Sequence, residues 1–422
     1  MDLLPTAPDP SATAAPHRIA ALDALRGFAL FGILIANVIV VSTLLTLGAR
    51  GDDQLLFGGT VDLTVLELTD VLFLGKFFLL FSFLFGYSFT LQIEAAARAG
   101  AAPVPRLLRR CGVLFAIGLV HVLFLWFGDI LTLYAALCLI LILLRNVRPR
   151  TAAVLGCGVL VAASALTLVS SEGGGIGLGF FDFARVHEAY TGGPLDTLDA
   201  QLDVAPRFMA VIWTGQGPPA LGMFLLGMAA GKARLLDALP RGGGPRDSGH
   251  RGGGQGLSVW IVRVQWIGLA AGGPMAVWSV SDSDDELPAY GDVLLSLTNP
   301  LVTFAYVATI LRLVIRGERS RLAAALAPAG RMAATNYIVQ SLVFVVVYTG
   351  YGLALVDRVP PLGIVAIAVA TYLLQLVASA WWLKRHRYGP VEWVMRAVTN
   401  AKKPPWRSHP VPGRAGSPGR AG

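Results

Sequence analysis

Apolar runs of about 20 residues, enough to cross roughly 30 Å of hydrocarbon, recur along the whole chain. They fall near 22–47, 71–92, 107–126, 130–145, 152–170, 207–231, 258–280, 290–314, 332–355 and 361–383. The links between them alternate in charge. Those at 93–110, 145–151, 232–257 and 312–331, and the segment after the last run (Lys384, Arg385, Arg387), are rich in Lys and Arg. The intervening links are acidic or neutral, as around Asp52 and Asp70, at Asp129, from Glu172 to Asp203, and from Asp282 to Glu286. Basic links belong on the cytoplasmic side. The expected fold is therefore all-α, a polytopic membrane bundle of about ten transmembrane helices with both termini cytoplasmic. A bacterial cytoplasmic membrane is the expected location.

Composition agrees with this reading. Of 422 residues, 55% are hydrophobic and 14% charged, against roughly 25% charged in soluble domains. Mean hydropathy is +0.64. The net charge of +8 follows from the cytoplasmic rim. Its basic residues are not gathered with aromatics on one face, so the bilayer, and no nucleic acid, is the expected partner. Cys111, Cys138 and Cys157 lie in spans or at a cytoplasmic end and read as small apolar residues. Asp23 and Arg26 interrupt the first run where a cleavable signal would be apolar. No His/Cys/carboxylate set has metal spacing, and there is no GxSxG elbow. The run GGGIGLG (173–179) follows no buried strand, so it is no dinucleotide loop.

Residues 1–16 are rich in Ala and Pro and predict a disordered tail. A six-span block follows over 17–239, then a Gly/Arg linker over 240–257, a four-span block over 258–399, and a disordered basic tail over 400–422. The stretch FDFARVHEAY in the long link 171–206 predicts a short helix. Gly and Pro in WTGQGPPALG (213–222) and LTNPLVTF (297–304) predict broken helices in the sixth and eighth spans, a pattern that points to a transporter site. Gly227 and Gly231 have helix-packing spacing.

Polar residues inside spans are costly, and they group by depth at ~1.5 Å per residue. Asn37, Lys76, His121, Asp129 and Tyr134 share an outer level. Arg18, Asp23, Arg26, Asn336 and Gln340, with Glu392 and Arg396 after the last span, share an inner one. Each has a structural reading beside the functional one. His121, Asn336 and Gln340 serve equally as interhelical hydrogen-bond partners. Lys76 can snorkel to the interface. Asp23 can pair with Arg26 or Arg18, and Asp129 can cap the fourth span.

The segments RIAALDALRGFALFGILIAN (18–37), KFFLLFSFLFGYSF (76–89), GLVHVLFLWFGDILTLYAAL (118–137), GRMAATNYIVQSL (330–342) and YGPVEWVMR (388–396) closely resemble, in order, the YeiB-like family of bacterial membrane proteins. That family carries a C-terminal domain of unknown function, number 418. More distantly, LDxLRG followed by Asn37 is similar to the opening of the heparan-α-glucosaminide N-acetyltransferases. Those belong to the transmembrane acyltransferases, which carry an acetyl group from cytosolic acetyl-CoA to a sugar across the membrane. That resemblance implies an active-site role for Asn37. The His that follows the first span there has no match in 38–70, and His121 is our substitute.

The combined expectation is an acyl-CoA-dependent acyltransferase with no tightly bound cofactor and no metal. Arg18 and Arg26 would bind donor phosphates. His121, oriented by Asp129 or Tyr134, would be the base, and Asn37 with Lys76 would stabilise the oxyanion. The acceptor would be an extracytoplasmic glycan or small molecule. The alternatives are a proton-coupled transporter of a small solute using His121 or Asp129, and an assembly or sensory protein.

Overall fold

The computed structural model describes residues 10–50, 57–172, 181–238, 251–281, 289–315 and 321–407. Their regular structure is helical: α1 (Pro10–Arg50), α2 (Thr60–Leu72), α3 (Phe77–Arg98), α4 (Pro103–Phe124), α5 (Leu131–Leu143), α6 (Pro149–Glu172), α7 (Phe183–Thr191), α8 (Pro194–Lys232), α9 (Arg251–Ser281), α10 (Ala289–Ile315), α11 (Arg321–Arg331), α12 (Ala333–Tyr348), α13 (Pro361–Arg385) and α14 (Pro390–Asn400). Prolines open α4, α13 and α14, where the missing N–H costs nothing and φ is already helical.

Six segments among the described residues are long and apolar enough to cross a membrane: Ala20–Thr43, Thr60–Arg98, Pro103–Phe124, Pro149–Leu168, Tyr290–Val314 and Pro361–Arg385. The pair α11 and α12, bent by 79°, makes a seventh if it is one broken span. The architecture is that of a helical membrane bundle. Such helices gain little from hydrophobic burial against one another, so close backbone approach holds them. On α3 and α8 the contact is reciprocal: a Cβ at Gly86 would lie 2.0 Å from Phe224 O, and one at Gly227 2.0 Å from Phe83 O. On α1 and α11, a Cβ at Gly27 would lie 2.3 Å from Leu326 O, and one at Gly330 1.8 Å from Asp23 O.

The proline-containing spans are not broken. The helix α8 runs through Pro206, Pro218 and Pro219, and α10 runs through Pro300. Each proline removes one ladder hydrogen bond, but α8 packs against both α3 and α6. The interruptions fall elsewhere. Gly75, at φ +73°, turns the chain between α2 and α3; this left-handed conformation is easy only for glycine. The other interruption is the α11–α12 bend.

The two tails expected to be disordered and the Gly/Arg linker each include residues in helices or packed turns. The helix α1 begins at Pro10 and α9 at Arg251. Beyond α14, Trp406 packs 5.2 Å from Trp393 and 5.5 Å from His386, and Arg387 N donates to Trp406 O at 3.2 Å. Aromatic burial holds that turn of the basic tail on the bundle. The remainder of those three segments, and GGGIGLG (173–179), lie outside the described residues. The helix expected in 171–206 is α7, whose N-terminus is capped by Asp182 accepting from Arg185 N at 3.0 Å.

Candidate functional site

The chain leaves α4 through Trp126, Phe127, Gly128 and Asp129 and turns straight into α5. That turn brings Asp129 back to His121, one helical turn before the end of α4. His121 Nδ1 lies 2.9 Å from Asp129 Oδ1, and both side chains are fully buried. At this approach neither atom makes a hydrogen bond to the other. The second carboxylate oxygen, Oδ2, accepts from Thr132 N at 2.7 Å. Asp129 therefore caps the first turn of α5 with one oxygen and faces His121 with the other, and the two readings of this residue are compatible. Gly118 leaves the space for this approach: a Cβ there would lie 2.7 Å from Thr132 N and 3.0 Å from Asp129 Oδ2.

On its other side, His121 Nε2 is 2.8 Å from Ser341 Oγ on α12. The Tyr337 ring, one turn earlier on α12, lies 5.0 Å from the imidazole. Asp129, His121 and Ser341 thus form a carboxylate–imidazole–hydroxyl row. Ser341 also lines a cavity of about 20 Å³ with Asn37, Trp126, Tyr337, Gln340 and Phe344. Its free space is enough for about one water molecule. Asn37 and Ser341, the last member of the row, therefore line one small chamber between α1, Trp126 and α12, walled also by Leu34, Val38 and Val41; His121 and Asp129 lie behind Ser341.

Two residues placed at this level by depth do not join it. Lys76 Nζ donates to Asp70 O at 2.9 Å, closing the turn between α2 and α3. The Tyr134 hydroxyl is 2.7 Å from Ser82 Oγ and donates to Phe78 O at 3.0 Å, tying α5 to α3. Depth along a helix says nothing about the direction a side chain faces, and these two face α3 and its entry turn.

The inner residues divide as well. Arg26 Nη1 donates to Asp23 Oδ1 at 2.6 Å and Nη2 to Ser88 Oγ at 2.5 Å. Arg18 lies in α1, but its side chain falls outside the described residues. Glu392 accepts from Ala334 N at 2.8 Å, Thr335 N at 3.0 Å and Thr335 Oγ1 at 2.6 Å, so it caps α12. Burial pushes this carboxyl above its ordinary range. Arg396 lies 4.4 Å over the Tyr388 ring. Asn336 Nδ2 donates to Ala329 O at 3.1 Å and Ser379 Oγ at 3.0 Å. Gln340 Nε2 donates to Gln375 Oε1 at 2.9 Å, and Gln375 Nε2 to Asn336 O at 3.0 Å. Asn336 and Gln340 thus hold α12 to α11 and α13. Gln340 is not an inner-level residue: five residues of helix, about 7.5 Å, carry it from the Glu392 cap to the Asn37 chamber.

Three residues were not singled out from sequence: Ser341, Tyr337 and Arg110. Ser341 and Tyr337 lie four apart on one face of α12, inside the motif GRMAATNYIVQSL. Arg110 was counted only as a loop charge. Yet eleven residues separate Arg110 from His121, and eleven separate Arg26 from Asn37. At 100° per residue that spacing returns to nearly the same face, roughly 16 Å further along.

The chain is similar over nearly its whole length to three bacterial proteins. It is 30% identical over 403 residues to the uncharacterized protein YxaH of Bacillus subtilis (strain 168), covering 91% of this chain and 94% of the relative. It is 27% identical over 404 residues to an uncharacterized 39.9 kDa protein in the amylase 3′ region of Bacillus acidopullulyticus, covering 92% and 96%. It is 24% identical over 401 residues to the uncharacterized protein YeiB of Escherichia coli (strain K12), covering 91% and 96%. No solved structure matches. Residues 254–402 match the family described as protein of unknown function (DUF418), and with the end-to-end likeness to YxaH and YeiB, the chain belongs to the YeiB-like, DUF418-containing family.

Proposed function

We propose that this protein is a ten-span acyltransferase of the bacterial cytoplasmic membrane, with both termini cytoplasmic. It moves an acyl group from cytosolic acyl-CoA to an extracytoplasmic glycan or small-molecule acceptor. The observation that carries this reading is the buried row Asp129–His121–Ser341 opening on a chamber shared with Asn37.

The chemistry assigns one task to each member. Asp129 stabilises the proton on His121 Nδ1, which leaves Nε2 free to accept from the Ser341 hydroxyl. Ser341 Oγ attacks the thioester carbonyl carbon while its proton passes to Nε2. The Asn37 amide donates to the oxyanion. The carbon–sulfur bond breaks, the thiolate leaves with the proton from His121, and the acyl group remains on Ser341 as an ester. An acceptor hydroxyl or amine then attacks that ester, its proton goes to His121, and Ser341 is restored with that proton. A chamber with room for about one water requires α1 and α12 to part before a substrate enters. Lys76 and Tyr134 have no part in this scheme.

A proton-coupled transporter is the competing reading. It drew on broken sixth and eighth spans, and α8 and α10 are continuous. The test is thiol release from acetyl-CoA by membranes containing the protein, beside His121→Ala and Ser341→Ala. Release that both substitutions abolish supports acyl transfer. Release indistinguishable from empty membranes, together with solute counterflow in liposomes, overturns it in favour of transport.

A further inference from the structure

At the end of α4 remote from His121, arginines of neighbouring helices lie within electrostatic reach of one another. Arg110 of α4 has Arg26 of α1 and Arg396 of α14 as electrostatic neighbours, and Arg396 and Arg331 both act on Asp23. The packing explains this proximity. The helix α14 lies against α4, with Arg106 donating to Asn400 Oδ1. The helix α11 lies against α1 through Gly27 and Gly330.

Charge at this end is unbalanced. Asp23 is committed to Arg26 at 2.6 Å. Glu392 is committed to the N-terminus of α12. The other main electrostatic neighbours of Arg110 are the thiols of Cys111 and Cys138, not carboxylates. The Arg110 guanidinium lies 5.7 Å from the centre of the Phe85 ring, and its Nε is buried with no hydrogen-bond partner among the described residues. Unpaired buried charge of one sign is costly unless an ion of the other sign completes it.

We propose that Arg26, Arg110 and Arg396 form a binding site for a phosphate group, carried by a soluble phosphoester or by a lipid headgroup. Arg110 and Arg396 leave two charges uncompensated, which matches a phosphate monoester better than a carboxylate. Arg110 and Arg396 bring guanidinium forks that suit phosphate oxygens, and Arg26, held by Asp23 and Ser88, adds positive charge beside them. Roughly 16 Å of α4 separates Arg110 from His121. The site stands whether or not the His121 row transfers acyl groups.

The test is the thermal midpoint of the full-length protein in detergent, in sodium phosphate and in sodium chloride of equal ionic strength. A titration with inorganic pyrophosphate gives the affinity. The wild type is expected to melt several degrees higher in phosphate, because a ligand bound only to the folded state stabilises it. Arg110→Gln is expected to lose that rise and to weaken pyrophosphate binding about tenfold or more, the worth of a charge-assisted hydrogen bond. If Arg110→Gln does not fold, Arg396→Gln carries the same expectation. Arg109→Gln, on the exposed face of α4, is expected to keep the full rise. Nanodiscs separate the sources: phosphatidic acid that replaces the effect of added phosphate, where phosphatidylcholine does not, assigns the site to a headgroup. A response to pyrophosphate unaffected by phosphatidic acid assigns it to a soluble phosphoester. Phosphate and phosphatidic acid both without effect on the wild type would overturn the proposal. So would an equal loss in Arg109→Gln, which would make the effect general surface charge.

Discussion

The two polar regions at opposite ends of α4 handle charge in opposite ways. At the His121 end, a carboxylate, an imidazole and a hydroxyl stand in one buried row: Asp129 Oδ2 accepts from Thr132 N, and Oδ1 approaches His121 Nδ1 at 2.9 Å without a hydrogen bond. At the Arg110 end, guanidinium groups outnumber the carboxylates that could answer them, and one buried nitrogen has no partner. The first region is complete in itself and suited to moving protons between fixed groups. The second is incomplete and suited to receiving an anion. The lesson is that polar residues at two depths of one bundle need not do the same kind of work.

The largest expected effect breaks the first region. His121→Ala or Ser341→Ala should lower thiol release by about 10⁶-fold, that is to background, as when a member of a nucleophile–base unit is removed. The protein should still insert and elute as wild type. Asp129→Asn sharpens the point and should cost about 10⁴-fold in release. The Asn carbonyl still accepts from Thr132 N, so the thermal midpoint should hold; a large fall would make the residue chiefly a cap. Gly330→Ala tests the frame of the second region. With its Cβ 1.8 Å from Asp23 O, it should cost about 2–4 kcal/mol in unfolding. It should also weaken phosphate binding more than thiol release.

The smallest effect concerns pH. Burial holds the Glu392 carboxyl above its ordinary 4.5. An acid whose folded value is raised contributes fully below its unfolded value and loses that contribution as pH rises through the folded one. The wild type should therefore gain stability relative to Glu392→Gln as pH falls through the raised folded value toward 4.5. A flat difference between the two melting curves would count against a raised Glu392.

Much of this was legible in the sequence, for identifiable reasons. The apolar runs mark the helices because a helix in lipid must bury its own backbone groups and show the lipid apolar side chains. Asp129 and His121 were legible as a pair because a tight turn joins their helices. Lys76 and Tyr134 were misplaced because height along a helix was read without rotation about it. The eleven-residue spacings, Arg26 to Asn37 and Arg110 to His121, carry that rotational information and would have set Arg110 apart from the rim. The prolines of α8 and α10 misled because a local cost was read without the flanking helices that outweigh it.

What the chain by itself determined is which segments are helical and apolar, that they make a membrane bundle, and which polar residues sit inside it. These follow from composition and period, which act over a few turns. What only the tertiary structure decided is which of those polar residues meet. Ser341 reaches His121 across 220 residues of chain, and Arg396 reaches the Arg110 cluster from beyond the last span. Such meetings depend on how far each helix is rotated and on where glycines let backbones touch. No single segment contains that information, because it belongs to the pair.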